Sequence, residues 1–173
     1  MSVAISRRNL LRAKINPKQA LLPPWAMTEQ ADGFFSRCTR CSECIQSCPE
    51  SILEKGDGGF PRVNFRLGEC TFCGHCEAQC PTGALARRQG LEPGTQCPPW
   101  DYVAEIQSQC LNLQGVVCQR CADSCETRAI QFTPRIGGPA MPGIEPDLCT
   151  GCGACVSSCP VEAIEIQVDP YSQ

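Results

Sequence analysis

Aromatic residues, histidine and long apolar runs are all scarce in this chain. Six Phe, two Trp and two Tyr among 173 residues leave little aromatic surface for a packed core. No window approaches 18 consecutive apolar residues, so no membrane-spanning helix is expected. There is no Gly-rich phosphate loop, no flavin or nucleotide motif and no nucleophile-base pair, so the chain is not expected to be an enzyme in its own right. The only histidine, His75, sits between Cys73 and Cys76. It reads as a solvent-facing side chain, because the flanking cysteines already complete their motif.

What the chain has in quantity is cysteine, 17 residues, about a tenth of the total. The apolar fraction of 42% includes them, and without them it drops to roughly a third. So thin an organic core needs another source of stability, and metal ligation supplies one because its binding free energy is also folding free energy. An odd cysteine count and the lack of a cleavable leader argue against a closed disulfide framework. Reduced cysteines in the cytoplasm are the expectation.

The charge is distributed unevenly. Arg7, Arg8, Arg12, Lys14 and Lys18 fall in the first 20 residues, which contain no acid, while the whole chain carries a net charge of -3. The Ser6-Arg7-Arg8 segment has the look of a twin-arginine export signal. No apolar stretch or small-residue cleavage site follows it, so a basic tail that contacts an acidic partner surface is the expected role.

From Cys38 onward the sequence repeats itself four times. Three copies are complete: Cys38, Cys41, Cys44 and Cys48 before Pro49; Cys70, Cys73, Cys76 and Cys80 before Pro81; and Cys149, Cys152, Cys155 and Cys159 before Pro160. The third copy in chain order is degenerate. It has Cys118, Cys121 and Cys125, but Gly115 stands where the first cysteine belongs and Glu126 replaces the proline. Cys110 is favoured as its missing ligand because its loop is shorter to close, with Cys97 as the alternative.

A C-x2-C-x2-C-x3-C-P run is the bacterial ferredoxin signature for a 4Fe-4S cluster, and in two-cluster ferredoxins the fourth cysteine ligates the neighbouring cluster. That rule assigns Cys38, Cys41, Cys44 and Cys80 to one cluster, and Cys70, Cys73, Cys76 and Cys48 to a second. It assigns Cys110, Cys118, Cys121 and Cys159 to a third, and Cys149, Cys152, Cys155 and Cys125 to a fourth. Structural zinc prefers C-x2-C pairs separated by a longer loop, which this pattern does not match. Three clusters are expected at the complete runs and a fourth at the degenerate run, which is the one most exposed to loss. Each oxidised site contributes about minus two, which would bring the loaded chain to roughly minus eleven. Nucleic acid is therefore not an expected partner.

The gaps between runs pair the first with the second and the third with the fourth; a nested pairing, first with fourth, is the less favoured alternative. The expected fold is α+β: tandem bacterial-ferredoxin-like modules of short strands and helices, with a core stapled by the clusters. A basic leader would span residues 1–29, a first module 30–92, a Pro-rich connector 93–100 and a second module 101–173. Short strands are expected near Ile52 and Leu53, over 63–65, over 129–132 and over 163–168. The spacing of Val103, Ile106 and Cys110 predicts a helix over 101–113. Trp25 and Trp100, each after a Pro-Pro pair, are expected to pack over the thin core.

The leader, Pro23-Pro24-Trp25, the loop from Gly56 to Pro61 and the degenerate third run together resemble the NapF family of ferredoxin-type proteins, encoded with bacterial periplasmic nitrate reductases. The resemblance extends from the leader to about Ile166. It implies a cytoplasmic iron-sulfur accessory protein that binds the catalytic subunit of periplasmic nitrate reductase before export and assists assembly of that subunit's own 4Fe-4S cluster. The alternative is a polyferredoxin that passes single electrons to a reductase partner.

Overall fold

A computed structural model describes residues 21–26, 33–87 and 99–168. Of the basic leader expected over 1–29, all but residues 21–26 lies outside the described residues, as do most of the connector and Cys97. No described helix or strand exceeds five residues, because the chain must turn around a cysteine run before any element can propagate. In order they are α1 (Phe34–Arg37), α2 (Glu43–Gln46), β1 (Leu53–Lys55), β2 (Pro61–Val63), α3 (His75–Ala78), β3 (Tyr102–Ile106), α4 (Arg120–Asp123), β4 (Ile130–Thr133), β5 (Met141–Ile144), α5 (Ala154–Ser158) and β6 (Ile164–Val168). Single 3-10 turns at Asp57–Gly59 and Pro146–Leu148 connect strands or lead into a run.

The strands form three separate antiparallel ribbons. In the first half β1 pairs with β2, Leu53 opposite Val63. In the second half β4 pairs with β5, Ile130 opposite Ile144, and β3 pairs with β6 from Tyr102 opposite Val168 to Ile106 opposite Ile164. The second half thus has a hairpin between its two cysteine runs and a ribbon joining its two ends. In the first half the corresponding end-to-end pairing is a single bridge, Ala26 with Leu85, among the described residues.

Residues 102–106 are a strand, which corrects the helix expected over 101–113. Three apolar residues at helical spacing were outweighed by five cross-strand pairs with β6, and Tyr, Val and Ile suit a pleated surface. The Gln107 N–H still bonds the Ala163 carbonyl at 2.7 Å, and the chain then turns, with the Cys110 N–H on the Gln107 carbonyl at 3.0 Å. The strand expected over 63–65 lies slightly earlier, at Pro61–Val63. Asn64 ends it, because its side-chain oxygen accepts the Arg66 N–H at 3.1 Å and turns the chain.

Two apolar cores differ in size. The first collects Leu22, Phe34, Ile52, Leu53, Val63, Phe65, Ala84 and Leu85 around the buried Cys44 and Cys76. Phe34, Phe35 and Phe60 pack edge to face or tilted, with ring centres 5.1 to 6.2 Å apart. The second has only Ala104, Ile130, Cys155 and Ile164 as its buried members.

The halves are joined by a dense seam. The Cys70 N–H donates to the Cys152 carbonyl at 2.8 Å, and the Trp100 indole N–H donates to the Thr150 carbonyl at 2.9 Å. Trp100 meets Phe65 and Phe72 edge-on at 5.7 and 5.6 Å and stacks on Tyr102 at 5.0 Å. The Leu22 N–H donates to the Tyr102 hydroxyl oxygen at 2.8 Å, tying the first half's entry segment to the second half. Only glycine fits at 153: its φ is +82°, and an added Cβ would lie 2.0 Å from the Phe65 ring. Trp25 packs as well, with the Arg87 guanidinium 4.8 Å above its ring.

Candidate metal centres

Each cysteine run folds by the same local rules. The third cysteine of every run, Cys44, Cys76, Cys121 or Cys155, lies in a one-turn helix: α2, α3, α4 or α5. The fourth follows it, its N–H bonded to the carbonyl three residues back, as in Cys48 to Ile45 and Cys125 to Ala122. Three positions after the fourth cysteine a residue takes a left-handed conformation: Ser51, Gly83, Arg128 or Glu162. That turn forms in the third run even though Glu126 replaces proline, so the proline is not needed to make it.

The runs differ at their start. In the three complete runs the residues on both sides of the second cysteine are left-handed: Arg40 and Ser42, Phe72 and Gly74, Gly151 and Gly153. In the third run Gln119, after Cys118, has φ -134° instead.

This geometry gathers thiols from different runs. Cys38, Cys41, Cys44 and Cys80 line one hollow, and Cys48, Cys70, Cys73 and Cys76 line a second. Cys110, Cys118, Cys121 and Cys159 line a third, together with Ile106, Leu111 and Phe132. With their open mouths included, the hollows measure about 330, 350 and 360 Å³, so the degenerate run has not collapsed its own. The remaining group is read from electrostatics, since Cys155 feels Cys152, Cys149 and Cys125 as well as Cys121.

Burial pushes the Cys44 and Cys121 thiols up to about 11 and those of Cys70, Cys76 and Cys155 up to about 12, with neighbouring cysteines adding to the rise. Cys80 goes the other way. Burial raises it, but the Leu85 N–H and the Thr82 hydroxyl and N–H together hold it below the ordinary value. Cys125 behaves likewise, burial being outweighed by the Thr127 hydroxyl and the N–H groups of Ile130, Ala129 and Arg128. Donors aimed at sulfur are what a ligating thiolate needs, and the Ala163 N–H reaches Cys159 Sγ at 3.2 Å.

The donor set fits a multi-iron cluster. Among the described residues no three His, Cys, Asp or Glu side chains converge as ligands of one ion would. Four thiols around a shared hollow instead match a group that offers a separate iron to each.

Comparison with known proteins points the same way. The family model for the 4Fe-4S dicluster domain matches residues 37–84 and again 116–163, each match spanning two cysteine runs. Ferredoxin-type protein NapF of Haemophilus influenzae is 43% identical over 171 residues, covering 92% of each chain. Ferredoxin-type protein NapF of Escherichia coli K12 is 41% identical, covering 95% of each. This chain belongs to the ferredoxin-type NapF family. Ferredoxin-type protein NapG of E. coli K12 is a more distant relative of this NapF-family chain, 34% identical over 88% of it and 71% of NapG.

Tandem 4Fe-4S dicluster domains built of short helices and strands are therefore the architecture of this NapF-family member. The second family match opens at residue 116, so Cys110 lies outside it, and its place beside Cys118 is known from geometry alone. His75 is exposed at the first position of α3. One site residue escaped sequence reasoning: Asn112, buried beside the third hollow, with its side-chain oxygen on the Cys118 N–H at 2.6 Å. A lone Asn in a polar-looking loop carries no signal that it will be buried. No described helix is long and apolar enough to cross a membrane.

Proposed function

We propose that this chain is a cytoplasmic accessory protein of a periplasmic nitrate reductase system, one that binds the catalytic subunit before export and assists assembly of that subunit's 4Fe-4S cluster. Four clusters would be held by the sixteen cysteines of the four thiol groups, stapling two modules, 30–92 and 101–173, whose apolar cores are small. The observation that carries the reading is the exposure of ligand thiols. Cys41 and Cys73, the second cysteines of the first two runs, are exposed, whereas every described cysteine of the second half is at least half-buried. A cluster held by an accessible thiolate can be reached by an incoming ligand of a partner, which is what cluster handover requires.

A second reading, single-electron carriage to a reductase, is favoured by the seam. The Cys70 and Cys152 backbones are in direct hydrogen-bond contact, so thiol groups of the two halves adjoin. Deleting the gene and assaying exported nitrate reductase, once with a reduced viologen dye and once through the quinol pool, separates the two. Assembly requires loss with both donors. Full dye-linked activity with failed quinol-linked activity would overturn it in favour of electron carriage.

A further inference from the structure

Asn112 is the only fully buried polar side chain among the described residues, 1% exposed. A carboxamide is costly to bury unless both of its ends find partners, and here both do. Its Nδ2 donates to the Ala140 carbonyl at 2.8 Å, and its Oδ1 accepts the Cys118 N–H at 2.6 Å. Ala140 immediately precedes β5, which is paired with β4, so the amide fastens a loop to a fixed ribbon.

That loop is the irregular one. Cys118 follows Cys110 by eight positions, where three separate the first and second cysteines of the complete runs. The extra residues are taken up in a turn, with Gln114 N–H on the Cys110 carbonyl and Val116 N–H on that of Leu111, closed at Gly115 with φ +88°. The second cysteine here lacks the left-handed neighbour that follows it in the other three runs. The backbone bonds of that turn end at Val116, two residues short of Cys118. The Asn112 side chain closes that ring, and both cysteines line one hollow with Cys121 and Cys159.

We propose that Asn112 is a positioning residue for the cluster of the third run, making Cys110 a usable substitute for the missing first cysteine. The proposal rests on the reading that Cys110, Cys118, Cys121 and Cys159 hold a 4Fe-4S cluster. By taking up the Cys118 N–H, Asn112 also keeps that donor from cluster sulfur, and hydrogen bonds to sulfur are one of the controls on cluster potential.

The test uses the full chain purified without oxygen, with iron and sulfide content, electron paramagnetic resonance of the reduced protein and a redox titration as readouts. Asn112→Ala and Asn112→Leu should each lose about a quarter of the iron and one set of resonance features, the other three sites keeping their potentials. Asn112→Asp keeps the acceptor for the Cys118 N–H but loses the donor to the Ala140 carbonyl. It should bind iron less completely at one site, the other three keeping their resonance features and potentials. Full iron with unchanged potentials in the Ala and Leu variants would overturn the proposal. If those two fail to fold, Asn112→Asp decides: a loss confined to one site supports it, and four fully loaded sites with unchanged potentials overturn it. Cys110→Ala separates this from failure of the underlying reading. If it leaves iron and resonance intact, the third site is not built as read and the proposal falls with it. If it removes one cluster while the Asn112 variants keep theirs, only the role of Asn112 is lost.

Discussion

The two halves repeat one cluster-binding plan but are held together differently. The first half has complete cysteine runs, a three-phenylalanine cluster and two exposed thiols, yet its described end-to-end strand pairing is one bridge. The second half has a full five-pair ribbon, a core of four buried residues and a degenerate run braced by a buried amide. It also exposes Val117, Ile136 and Leu148. Side-chain packing and backbone pairing trade places between the halves. Ligand loops of one kind can therefore rest on either support, provided that the third cysteine reaches a helical turn and the fourth a left-handed one.

Removing the iron should separate the two halves most sharply. Anaerobic chelation is expected to unfold the second half first, because its few buried apolar groups cannot hold it alone. Circular dichroism followed against iron content would show strand signal lost early, and unchanged secondary structure in the iron-free chain would contradict a cluster-stapled core. Next in size, Phe34→Ala should destabilise the loaded protein by about 3–5 kcal/mol, since the ring is 1% exposed and packs on Phe35 and Phe60. Denaturant unfolding measures this, and a loss below about 1 kcal/mol would mean that the clusters carry the first half as well. The finest test is Gly153→Ala, which adds a left-handed side chain against Phe65 and should cost about 2–4 kcal/mol. It acts on the seam, so one unfolding transition should become two. A single unshifted transition would show that the halves do not depend on this contact.

Much of the candidate site was legible in the cysteine spacing, because a fourth cysteine that cannot reach its own cluster must look to a neighbour. Cys80 stands with Cys38, Cys41 and Cys44 as that logic requires, and Cys48 with Cys70, Cys73 and Cys76. That each group holds a cluster is the proposal made above. Residues 102–106 were misread because Val103 and Ile106 fit a helical face as well as a strand, and only the pairing with β6 distinguishes them. Asn112 was invisible for a related reason, since its partners lie 6 and 28 positions away.

Residue type and spacing alone set the chemistry: which residues can bind iron, in what repeat, and how thin the organic core is. These are local properties of composition and spacing, set by side-chain type and by a few backbone turns within about a dozen residues. The folded chain, not its local pattern, sets the adjacency of the second and fourth runs through Cys70 and Cys152, the closing of the seam by Trp100, and the third hollow that Cys110 lines with Cys118, Cys121 and Cys159. Those outcomes depend on contacts between residues far apart in the chain, where packing and hydrogen-bond satisfaction select among arrangements that spacing alone leaves equivalent.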